Sequence, residues 1–117
     1  MAFQIESEEY HAIEYESEPL LVAEMIQEIL YNIGEITHVN RETGIIEGKI
    51  FKGLMAWQPA KVRINITKND NGTKIDIRTY RQESALINYH GAQKAMNTLL
   101  SSLADDERLK SNSKTGW

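Results

Sequence analysis

Lys61-Val62-Arg63-Ile64-Asn65-Ile66-Thr67-Lys68-Asn69-Asp70-Asn71-Gly72-Thr73-Lys74-Ile75-Asp76-Ile77-Arg78 is the stretch that decides the fold. Val62, Ile64 and Ile66 alternate with Lys61, Arg63, Asn65 and Thr67; Ile75 and Ile77 alternate with Lys74, Asp76 and Arg78. A period of two puts the apolar side chains on one face of a strand and the polar ones on the other. Lys68 to Gly72, between the two runs, is a hairpin signal because Asn and Gly tolerate positive φ. The stretch therefore predicts two antiparallel strands in a sheet with one buried and one wet face.

Toward the N-terminus the same period continues. A strand from Ile45 to about Lys52 sets Ile46, Gly48 and Ile50 against Glu47, Lys49 and Phe51, and Asn40 to Gly44 supplies a turn before it. Ile36 and His38, alternating with Thr37 and Val39, give a further strand. Upstream the period lengthens: Val22, Ile26, Ile29 and Ile33, with Met25 and Leu30, mark one face of a helix whose other face carries Glu24 and Glu28. Ser17-Glu18-Pro19 reads as its start, with Ser17 accepting from early amides, and Gly34 as its stop. Residues 3–5 and 10–15 alternate loosely and are rich in aromatic and β-branched types, so at least one strand is expected there, at the Tyr10 to Tyr15 stretch.

Beyond Arg78, Gln82 to His90 has no clear period. From Gly91 the helical spacing returns in Ala92, Met96, Leu99 and Leu103, and this helix is expected to end before Leu109. The expected organisation is a single α+β domain over 1–109, an antiparallel sheet of about five strands with two helices packed on one face, in the order βαββββα. Residues 110–117 read as a flexible tail.

That order, together with Thr43-Gly44-Ile45-Ile46-Glu47-Gly48-Lys49-Ile50 leading to Trp57 and the Asn71-Gly72-Thr73 turn, resembles one repeat of the TATA-box-binding-protein-like fold and small uncharacterised bacterial domains of similar layout. In the eukaryotic family member the wet face binds the DNA minor groove with inserted Phe wedges. The comparable face here carries Lys49, Lys61, Arg63, Lys74 and Arg78 with Phe51 as its aromatic, so the resemblance implies the fold and not DNA bending.

Charge is unevenly distributed along the chain. The net charge is −4, yet residues 1–40 hold nine acids and no Lys or Arg, while residues 41–81 hold nine bases against four acids. Overall acidity argues against a nucleic-acid binder, since phosphate neutralisation needs uncompensated cations. The absence of Cys excludes disulfides and thiolate metal sites. His11, His38 and His90 stand at no metal-ligand spacing, and Gly44 to Ile50 lacks the spacing and hydroxyl of a phosphate loop. No nucleophile lies in a catalytic context. The sequence therefore predicts no enzyme, no cofactor and no metal. Without a basic n-region or a long apolar segment, the expected location is cytoplasmic, away from membranes.

Two surfaces remain as binding candidates. One is the basic sheet face of Lys49, Lys61, Arg63, Lys74 and Arg78. The other is an apolar rim at the opposite end from the turns, made by Met55, Trp57, Tyr89 and His90, where a connection is expected to be polar. The expected function is a non-enzymatic interaction module whose partner is a protein or a second copy of the chain, with the acidic first segment suited to a basic partner, as in inhibitor or immunity proteins. The alternative is a small-ligand domain with its pocket between the helix pair and the sheet.

Overall fold

The computed structural model describes residues 4–52, 59–84 and 90–106, with residues 4–6 and 82–84 described by backbone alone. Its elements are β1 (Gln4–Tyr15), α1 (Pro19–Ile33), β2 (Gly34–Asn40), β3 (Ile45–Ile50), β4 (Ala60–Asn69), β5 (Gly72–Ser84) and α2 (Gly91–Asp105). All neighbouring strands are antiparallel and the sheet order is β1-β5-β4-β3-β2. The α+β class and the βαββββα order read from the sequence are thus those of the structure. The expected tail and the segment holding Met55, Trp57 and Tyr89 lie outside the described residues. No helix among the described residues is long and apolar enough to cross a membrane.

Alternation does what it predicted. Ile46, Ile50, Val62, Ile64, Ile75 and Ile77 form the floor of the core, and both helices cover it with Val22, Met25, Ile26, Ile29, Leu30 and Ile33 from α1 and Ala95, Met96, Leu99 and Leu103 from α2. Each fully buried Leu or Ile contributes about 1.5–3 kcal/mol by leaving water. Two threonines on the same face of β5 fasten the layers: the Thr73 hydroxyl donates to the Ser17 carbonyl at 2.7 Å, and the Thr79 hydroxyl to the Ala92 carbonyl at 2.7 Å.

Four local expectations are corrected. The first strand begins at Gln4 rather than Tyr10, because all twelve residues find a partner in β5. Ser17 does not cap α1; Glu18 holds that position without a side-chain bond, and Pro19 opens the first turn. Gly34 does follow the helix, but with φ −174° it is extended; a Cβ there would stand 1.8 Å from the Lys49 carbonyl, so glycine permits close approach of β2 to β3. Finally, a register shift between Ile36 and His38 sends these two residues to opposite faces: Ile36 pairs with Gly48 over the core, and His38 pairs with Glu47 on the wet side.

The β4–β5 hairpin closes with Asn69 opposite Gly72. Asp70 and Asn71 keep negative φ, and the Asn69 side-chain carbonyl accepts from the Asn71 amide at 3.2 Å. The turn therefore has positive φ at Gly72 (149°), as the glycine signal predicts, and a side-chain-to-backbone bond in place of positive φ at asparagine.

Candidate functional site

Both helices cover one face of the sheet, so the other is exposed, and the strand registers place its side chains in rows. One row reads Tyr10, Arg78, Arg63, Glu47 and His38 from β1 to β2. The next reads Glu8, Tyr80, Lys61, Lys49 and Glu35. On the other side lie Ala12, Asp76, Asn65, Ile45 and Asn40, followed by Glu14, Lys74 and Thr67. All five cations of the predicted basic face share this surface, and all sit on the three inner strands. Acids stand at its two edges, with Asp76 and Glu47 nearer the middle.

The cations are unequally neutralised. Arg78 Nε lies 2.9 Å from Glu8, Lys49 lies 3.9 Å from Glu35, and Lys74 lies 3.8 Å from Asp76. Among the described residues Lys61 and Arg63 have no ion-pair partner. Instead Lys61 stands directly opposite Lys49, and Arg63 stands between Arg78 on one side and Glu47 on the other. Like charges in such positions disfavour the pairing. Tyr10, Arg63, Asn65, Lys74, Asp76 and Arg78 line an open concavity of about 450 Å³ beside these pairs. The Tyr10 hydroxyl donates to Asp76, and that bond holds the phenol above its ordinary range. This fixes Asp76 within the floor and leaves the Arg63 guanidinium as a donor facing solvent.

Of the apolar rim, His90 alone is described. It is exposed, precedes α2 in the left-handed conformation (φ 52°, ψ 45°), and its carbonyl accepts from the Lys94 amide at 3.0 Å. Over the described residues, the space between helices and sheet is occupied by the core cluster. Arg81 was not anticipated. It is 5% exposed, on the helix-covered face, against Gly91: a Cβ on that glycine would meet Arg81 Cδ at 2.2 Å. Continuing the alternation of Ile75, Ile77 and Thr79 by two residues would have found it. No group of three or more His, Asp or Glu among the described residues could hold a metal ion.

No protein-family model matches the chain, and no curated protein matches it. Among solved structures, a Staphylococcus aureus protein of unknown function is similar at 11% identity and a TM-score of 0.40, over 89% of this chain and 96% of that one.

Proposed function

We propose that the chain is a non-enzymatic protein-interaction module that receives an acidic element of its partner on the exposed sheet face. The observation that carries this reading is the side-by-side placement of two like-charge pairs, Lys49 with Lys61 and Arg63 with Arg78, beside an open concavity. Carboxylates of a partner lying between the facing cations would relieve their mutual repulsion. The acids at the edges repel any anionic surface that is out of register, which makes the face selective. They also disfavour a phosphate backbone, whose repeating charge would run over Glu8, Glu35 and Glu47.

A titration with an oligoglutamate peptide, followed through backbone amide shifts, tests the proposal. Shifts centred on Lys61, Arg63 and Arg78 that fade at high salt are expected, with loss of binding in the Lys61→Glu, Arg63→Glu variant. Binding that survives this double charge reversal, or no binding at low salt, would overturn it.

A further inference from the structure

We propose that the outer edge of β1 is a strand-addition site for a basic, extended segment of a partner. This surface is separate from the exposed face and stands on different observations.

β1 is at the margin of the sheet, and its twelve residues pair with β5 without a register shift. Among the described residues no strand pairs with its outer side, so a long row of backbone N–H and C=O groups points outward from it. Sheet proteins commonly blunt such an edge by shortness, bulges, proline or lysine. The opposite margin follows this pattern: β2 has seven residues and a register shift in its middle. β1 has no bulge and no Pro; its protection is charge alone, the repulsion of Glu6, Glu8, Glu9 and Glu14, which an acidic strand or a second copy would meet and a basic strand would not.

Its charge decides between occupants. A second copy could add only antiparallel about a two-fold axis normal to the sheet, which keeps like faces together and centres the pairing on a residue. Centred on Glu8 or Glu9, that residue opposes its own copy. Centred on Tyr10, Glu6 opposes Glu14; centred on His11, Glu8 opposes Glu14. Each of these four registers, the longest that β1 can form with its copy, therefore sets carboxylate against carboxylate, which disfavours extensive self-pairing. A strand bearing Lys or Arg at alternate positions sets them against Glu8 and Glu14, which share the exposed face, as favourable cross-strand pairs. Tyr10, 56% exposed, offers its ring to the aliphatic stem of such a side chain. Main-chain bonds would supply affinity and the acids would choose the partner.

The probes are a ten-residue peptide of alternating Lys and Val, its Glu/Val counterpart, and the Lys/Val peptide N-methylated at alternate residues to remove ladder donors. Amide hydrogen exchange of the whole chain is the readout. The Lys/Val peptide is expected to slow exchange of outward β1 amides at least tenfold, and the Glu/Val peptide to leave it unchanged. N-methylation and the Glu8→Lys, Glu14→Lys variant should each weaken binding about tenfold or more. Equal binding of the N-methylated peptide, protection of these amides without peptide, or a β1-paired dimer by light scattering would each overturn the proposal.

Discussion

Arg63 on β4 and Arg78 on β5 stand directly opposite each other with both side chains on the exposed face, and only Arg78 has a carboxylate within ion-pair distance. Cross-strand like charges disfavour pairing by about 0.2–1 kcal/mol. Arg63 also faces Glu47 on its other side, so the repulsion is isolated at the Lys49–Lys61 pair: Lys61→Thr, which puts a β-branched residue in the strand, is expected to raise stability by about that amount in urea unfolding at low salt. The gain should shrink at 1 M salt, where charges are screened beyond roughly 3 Å. A variant less stable than the parent would show that Lys61 supports the fold instead.

Gly48 faces Ile36 across the strand pair, and a Cβ there would lie 2.3 Å from the Glu35 carbonyl oxygen. Backbone cannot swing aside as a flexible side chain can. Gly48→Ala is expected to destabilise by about 1–3 kcal/mol or more, seen as a lower thermal midpoint. The broadest NMR shift changes should fall on β2.

Thr73 and Thr79 are both fully buried, and each spends its hydroxyl on a helix-end or loop carbonyl. Valine keeps their shape and removes the donor. Thr73→Val should cost about 1–2 kcal/mol, since the Ser17 carbonyl just ahead of α1 loses its partner. Thr79→Val should cost less, because the Ala92 carbonyl lies in the first turn of α2 and retains the acceptor position of the helix ladder. Chemical denaturation of both variants checks the order.

Burial pushes the Tyr15 phenol up to about 12, with a smaller contribution from the Asp106 charge. The folded value exceeds the unfolded value of about 10, so the folded state holds this proton more tightly. Its contribution is fully present below pH 10 and is lost as pH rises from 10 through 12, by at most about 1.4 kcal/mol per pH unit. Tyr15→Phe should show a shallower decline in stability across that window. Parallel slopes for parent and variant would count against the assignment.

How far the sequence could be read follows from the range of each interaction. The 61–78 alternation assigned inward and outward residues correctly, because parity within a strand is local. The five cations were placed on one face for the same reason. Their opposition in pairs was not read, since it depends on register between strands. The bulge at Ile36 and His38 was invisible because one inserted residue reverses parity without altering composition. Glu6, Glu8 and Glu9 hid the first half of β1: Glu is a poor strand former, and what holds it there is pairing with residues 79 to 82, distant in the sequence. Gly34 was found at the right position for another reason, since the carbonyl it avoids belongs to Lys49.

The pairing of Gln4 with Ser84 also sets an order of events during synthesis. Strands β2 to β5 are neighbours in both sequence and space, so each can join the growing sheet as it emerges. β1, made before the others, has nothing to join until β5 begins at Gly72, and its first residue waits for Ser84; closing so long a loop slows folding. Meanwhile a nascent segment with strand-forming Tyr10, Ile13 and Tyr15 stays unpaired near other nascent chains. Glu6, Glu8, Glu9 and Glu14 act there as gatekeepers, keeping the waiting strand in solution by mutual repulsion until its partner arrives.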